Sequence, residues 1–81
     1  MDKYIVLLYF KKEKEESVSK LYCSSLSVAE FYMRMFGARE EIVAICLVSL
    51  EEKKASLEKG GSINYFLEWL NDNALGWVGV S

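Results

Sequence analysis

Two uninterrupted apolar runs constrain the fold of this chain more than any other feature of its sequence. They span residues 4–10 (YIVLLYF) and 42–48 (IVAICLV). A half-exposed strand alternates apolar and polar residues, whereas an unbroken run is typical of a strand that is buried on both faces. Each run is also far shorter than the ~20 apolar residues that span a bilayer. We therefore predict two central strands of a sheet and no membrane partner.

Residues 26–37 (LSVAEFYMRMFG) carry the clearest local signal in the chain. Ser27 and Glu30 have the spacing of a capping box, and Gly37 is a typical left-handed helix stop. The apolar residues of this segment spread over roughly 200° of helix surface, about twice the width of an ordinary core-facing stripe. We therefore predict a helix that is covered on two sides.

The first apolar run continues into a mixed-charge segment, 11–17 (KKEKEES), and then into an alternating segment, 19–25 (SKLYCSS). The charged segment has no apolar residue to anchor it, which predicts a solvated hairpin loop. The alternation that follows predicts a half-exposed strand paired with the first one.

A second capping-box spacing, between Ser49 and Glu52, precedes good helix formers and the pair Gly60-Gly61. This pattern predicts a helix over 50–59 that is either short and mostly solvated or only partly formed. The last five residues, 77–81 (WVGVS), predict a short final strand.

A third helix is predicted to start at Ser62. Five of its apolar residues fall within about 100° of helix surface, which is the width of a stripe that packs on a core, whereas Tyr65 and Trp69 lie together on a different side. The members of this stripe are Ile63, Phe66, Leu67, Leu70 and Ala74.

The predicted order of elements is β-β-α-β-(α)-α-β. The simplest way to bury these elements is an α+β two-layer sandwich, with a small mixed or antiparallel sheet of three or four strands and the helices packed on one face. The chain has no Pro, which fits one compact unit. We therefore predict a single domain over residues 1–81.

The apolar content is high for a domain of this size, since 52% of the 81 residues are hydrophobic and 14% are aromatic. A small domain cannot hide that much apolar surface, which predicts burial between chains in a homo-oligomer, most simply a dimer. Large aromatic residues and Met are enriched at protein interfaces. The interface candidates are Tyr65, Trp69, Ala29, Met33 and Phe36.

The sequence offers little for catalysis or ligand binding. It contains no His, which removes Ser-His, Cys-His and His-metal arrangements. Cys23 and Cys46 lie in apolar, strand-like segments and are expected to be structural free thiols of a cytoplasmic protein. We therefore expect no enzyme activity, no metal and no cofactor.

A nucleic-acid site is the alternative interpretation. Four lysines lie in or near the first hairpin: Lys11, Lys12, Lys14 and Lys20. The acidic residues of the same hairpin cancel most of their charge, and the net charge of the chain is −2, so nucleic acid is the less favoured partner.

Residues 21–47 (LYCSSLSVAEFYMRMFGAREEIVAICL) resemble the small phage-encoded inhibitors of uracil-DNA glycosylase. The shared pattern is a strand, a Ser-Leu-Ser helix start, an aromatic-rich helix and an apolar strand. The resemblance implies a dimeric protein that acts by protein–protein contact, and it assigns no role to a single residue.

Size, composition and missing chemistry together predict a small, dimeric, non-enzymatic protein that binds another protein as a regulator or inhibitor, of viral or mobile-element type. The alternative function is nucleic-acid binding through the Lys-rich first hairpin.

Overall fold

The computed structural model of the chain describes residues 2–72. Its elements are β1 (Tyr4–Lys12), β2 (Glu15–Cys23), α1 (Leu26–Gly37), β3 (Ile42–Ser49), β4 (Lys54–Lys59) and α2 (Ile63–Asp72). The four strands form one antiparallel sheet, so the predicted α+β class is confirmed. The predicted final strand 77–81 and Ala74 lie outside the described residues.

The strand order of the sheet is β2-β1-β3-β4, which places the two apolar runs at its centre, as predicted. β1 pairs with β2 in an unbroken register from Tyr4–Cys23 to Lys12–Glu15. The charged loop predicted for 11–17 is therefore too long, because both strands continue to a turn at residues 13–14. Opposite charges face each other across this end of the hairpin, where Lys11 Nζ lies 3.7 Å from Glu16 Oε1.

The two helices cover opposite faces of the sheet, so the prediction that they share one face is wrong. Side chains of a strand alternate between faces, and β1 is apolar in both sets. One set packs with α1 and includes Val6 and Leu8. The other set packs with α2 and includes Ile5 and Leu7. We name these the α1 face and the α2 face.

Residues 54–59 form the edge strand β4, and the helix predicted over 50–59 is wrong. The capping-box contact itself forms, because the Glu52 N–H donates to Ser49 Oγ at 3.2 Å. It closes a turn between β3 and β4, in which Lys53 has a φ of 53°. Ala55 then pairs with Val48 and is buried on the α2 face. Pairing with β3 thus overrides the local helix signal.

Both predicted ends of α1 need correction. Ser25, not Ser27, is the N-cap, since its Oγ accepts the Val28 N–H at 3.3 Å from an extended backbone. Gly37 is the last helical residue and not a left-handed stop, and Ala38 follows in a right-handed conformation. Lys59 completes this end of the helix, because its ammonium donates to Gly37 O at 2.9 Å.

α2 packs as its sequence predicts. Phe66 and Leu70 are fully buried, and Ile63 and Leu67 lie against the same cluster on the α2 face. The helix is reached through Gly60 and Gly61, both with positive φ values of 50° and 68°. A Cβ on Gly60 would lie 2.3 Å from the carbonyl oxygen of Val43, so only glycine fits this turn.

We expect Gly60→Ala to lower the free energy of unfolding by roughly 2 kcal/mol or more. Alanine is strained at the left-handed φ of this position, and its Cβ would also clash with the Val43 carbonyl oxygen. Urea unfolding followed by circular dichroism measures the loss. Gly37→Ala is the matched control, since a Cβ there meets only Ile45 Cδ1, at an ordinary 3.7 Å. Equal losses in the two variants would contradict the described turn.

Candidate interaction surface

The outer side of α1 carries three large apolar side chains that keep much of their surface in water. Val28, Phe31 and Met35 are 37%, 54% and 43% exposed. Their spacing of three and four residues places them on one side of the helix. We call this set the α1 stripe. A contiguous exposed apolar stripe of this kind is typical of a surface that contacts another molecule.

The α1 candidates named from the sequence lie on the opposite side of the same helix. Ala29 is 0% exposed and sits in the core of the α1 face. Met33 and Phe36 are half-buried and pack against that core. These three residues therefore bind the helix to its own sheet, and the prediction that Ala29 forms an intermolecular interface is corrected.

Sequence reasoning missed the α1 stripe because apolar residues occupy both sides of the helix. The one residue that could have indicated the inner side of α1 is Ala29, the smallest apolar residue of this helix. A small residue lets a helix approach a sheet closely, so the side that holds Ala29 is the inner one.

Tyr65 and Trp69 both contact the sheet of their own chain. The Tyr65 ring stacks on the Tyr9 ring, with 4.4 Å between ring centroids and 23° between the planes. Trp69 packs against the core of the α2 face, and the Lys20 ammonium lies 5.5 Å from the Trp69 ring centroid. Tyr65 keeps an exposed edge, so a contact with a partner stays a prediction for these two residues.

An open groove lies between α1 and β2 on the α1 face, with a volume of about 430 Å³. Its apolar walls include Leu8, Phe10, Leu21 and Phe36. On the β2 side it is lined by Ser17 and Ser19, whose small side chains leave the space open. Arg39 and Glu41 form an ion pair of 3.7 Å at its rim.

The four lysines of the nucleic-acid alternative do not converge on one surface. Lys11 and Lys12 point to opposite faces of β1, and Lys14 lies in the turn. Lys20 lies further along β2 and stands over the rings of Tyr22 and Trp69. Glu16 pairs with Lys11, which offsets its charge. This arrangement lacks the continuous basic track that a phosphate backbone requires.

The two cysteines are buried on opposite faces of the sheet, Cys23 on the α1 face and Cys46 on the α2 face. Burial raises the pKa of the Cys46 thiol to about 12, and burial also raises the pKa of Cys23. Both groups are therefore protonated near neutral pH and are poor nucleophiles.

Within residues 2–72, acidic and cysteine side chains form no cluster of three or more that could hold a metal ion. No helix in this part of the chain is long and apolar enough to cross a membrane. Comparisons with known protein families, with curated proteins and with solved structures gave no match.

The stack of Tyr9 on Tyr65 should stabilise the docking of α2. A double-mutant cycle with Tyr9→Leu and Tyr65→Leu is expected to give a coupling free energy of about 0.5–1.5 kcal/mol in urea unfolding. Tyr9→Leu with Tyr32→Leu is the control pair, because Tyr32 packs on the other face. Zero coupling between Tyr9 and Tyr65 would contradict the stack.

Native protein at pH 8 should react slowly with a thiol reagent such as dithionitrobenzoate, because both thiols are buried and protonated. Both should react fully and quickly in 6 M urea as the control condition, where the burial is lost. Rapid labelling of one thiol in the native protein, at the rate seen in urea, is the outcome that contradicts this placement.

Proposed function

We propose that this protein is a non-enzymatic interaction domain that forms a homodimer and acts by binding another protein. The observation that carries the proposal is the α1 stripe, in which Phe31 is more than half exposed on a helix of a small domain. Water contacts of large apolar side chains are unfavourable, and burial in an interface removes them.

A second copy is the occupant that we infer for the α1 stripe. A two-fold axis beside one exposed stripe places an identical stripe opposite it, so a dimer covers both at once. Fully burying a Val, Phe or Met side chain stabilises by roughly 1.5–3 kcal/mol, and a symmetric contact doubles the number of buried side chains. Phe31 and Met35 also belong to the residue types that are enriched in interfaces, and Met adapts well to varied partner surfaces.

The proposed role is regulation or inhibition of another protein in the cytoplasm. Support for this compartment comes from the two cysteines, which are buried on opposite faces of the sheet and form no disulfide with each other. Support for binding over catalysis comes from the missing His and from the raised pKa values of the Cys23 and Cys46 thiols, which leave neither a His-activated nucleophile nor a reactive thiolate among the described residues. A viral or mobile-element origin belongs to this proposal through the size and composition of the chain.

The double variant Phe31→Gln/Met35→Gln should raise the dimer dissociation constant at least ~tenfold. The reason is that Gln amides are hydrated in the monomer and gain nothing from burial in an apolar contact. Sedimentation equilibrium over a range of concentrations measures this change. Gln is a good helix former, so the fold of α1 is retained.

Leu57→Thr is the matched control for that experiment. Leu57 is 38% exposed, similar to Val28 in the α1 stripe, but it lies on the edge strand β4. Its substitution should leave the dissociation constant unchanged. A wild-type protein that stays monomeric at every concentration, or a control that weakens the dimer as much as the double variant, would overturn the proposal.

A further inference from the structure

The sheet ends in two unlike edges. β2 is nine residues long and pairs with β1 without a register shift. β4 has six residues, and its pairing with β3 shifts between Ile45 and Cys46. Among residues 2–72, no strand pairs with the outer side of β2. A long and regular edge of this kind offers a row of backbone N–H and C=O groups to another strand.

We propose that β2 of a second copy adds antiparallel to this edge, with Val18 on the two-fold axis, so that two sheets join into one of eight strands. This inference rests on the proposed homodimer and identifies the contact through which it forms. We call this contact between the two β2 strands the β2 seam. Strand addition supplies backbone hydrogen bonds, and the side chains of β2 then decide which register is favoured.

Charge selects the register. With Val18 on the axis, residue 16 of one copy lies opposite residue 20 of the other, because paired positions add up to 36. Glu16 therefore faces Lys20 of the second copy, and the symmetry repeats this opposite-charge pair on the other side of the axis. Opposite charges directly across an antiparallel pair stabilise it, and like charges destabilise it.

Neighbouring registers lack this complementarity. With Ser19 on the axis, Glu16 lies opposite Tyr22 and Lys20 lies opposite Val18. With Lys20 on the axis, two ammonium groups face each other. The Val18 register is therefore the one near the middle of β2 in which its charges match those of a second copy.

The groups needed for this pairing lie on the same face of the sheet and are accessible. Glu16 and Lys20 each lie two positions from Val18 along β2, on the α2 face, where Val18 contacts the core. Both charged residues are exposed. Glu16 contacts Lys11 through Oε1 at 3.7 Å and also accepts a hydrogen bond from the Tyr9 hydroxyl. A carboxylate has about four acceptor sites, so the exposed Glu16 side chain can accept from a second cation as well.

Val28 and Met35 of the α1 stripe lie on the side of α1 that points toward this seam. Glu30 and Arg34 line a cavity with Glu58 and Lys59, so their side of the helix faces β4. At 100° per residue, Val28 lies about 160° away from Glu30 on the helix surface and so faces the β2 edge. α1 lies over β1, β2 and β3.

In the joined sheet the two copies of β1 are separated by three strand spacings, or about 14 Å. Packed helices usually lie about 8–10 Å apart, so a pair of α1 helices at this distance needs large side chains between them. Val28 and Met35 lie on the sides of the two helices that face this gap, and Ser17 and Ser19 leave room in the groove next to Phe36. The β2 seam thus brings this part of the α1 stripe next to the second copy.

Charge reversal tests the register. Glu16→Lys alone brings an introduced lysine opposite Lys20 at two positions, and Lys20→Glu alone brings an introduced glutamate opposite Glu16 at two positions. Each should raise the dimer dissociation constant about tenfold or more, since two attractive pairs become repulsive. The double variant Glu16→Lys/Lys20→Glu should recover the wild-type value within about threefold, because it restores both pairs with exchanged signs.

An equimolar mixture of the two single variants provides a stringent readout. In the mixed dimer, the introduced lysine of one chain faces the introduced glutamate of the other, and the unchanged Lys20 of the first faces the unchanged Glu16 of the second. Heterodimers should therefore form in preference to either homodimer. Native mass spectrometry with one isotope-labelled chain measures the ratio. A heterodimer that forms only in the random proportion of one half, together with a dissociation constant unchanged in every variant, would overturn the proposed β2 seam.

The failure of this inference is distinguishable from failure of the proposed function. If the α1 substitutions break the dimer but the charge variants and their mixture behave like wild type, the homodimer stands and the β2 seam is wrong. If the wild-type protein is monomeric, both proposals fall. Val18→Cys gives an independent check, because cross-strand partners on a two-fold axis are close enough for a disulfide under mild oxidation. Ser56→Cys, on the β4 edge, should form no disulfide-linked dimer under the same oxidation in the dilute protein.

Discussion

The structure depends on one constraint, which is that β1 is apolar on both of its faces. Ile5 and Leu7 point to one side of the sheet, Val6 and Leu8 point to the other, and all four are buried. Leaving either set in water would cost a large part of the free energy that keeps a small domain folded. The chain therefore needs a cover on each face, and the two helices within residues 2–72 each cover one.

The remaining architecture follows from this division. β3 is buried on both faces for the same reason as β1, and the shorter or more polar segments become the edges β2 and β4. Tyr65 and Trp69 pack on the α2 face, where they contact Tyr9 and Lys20. Because α2 covers the α2 face, the large apolar side chains that stay exposed lie mainly on the outer side of α1.

Much of the fold could be predicted from the sequence where a single local pattern decides it. The uninterrupted runs identified the two central strands, and the narrow stripe of α2 identified its core side through Phe66 and Leu70. Prediction failed where a local pattern has two solutions. The Ser49–Glu52 spacing caps a helix or closes a turn, and only the pairing of Ala55 with Val48 selects the turn. Likewise, an arc of apolar residues on α1 does not say which half meets the sheet.

The sequence could predict that an apolar interaction surface exists, but not which residues form it. An excess of apolar residues indicated contact between chains, whereas the residues that remain exposed depend on how α1 is rotated over β1. The most direct measurement is amide hydrogen exchange along β2 as a function of protein concentration. Protection of alternate β2 amides that rises with concentration, as the dimer forms, is the predicted result. Exchange in β2 that is fast and independent of concentration, in a protein that stays monomeric, would contradict self-association through this edge.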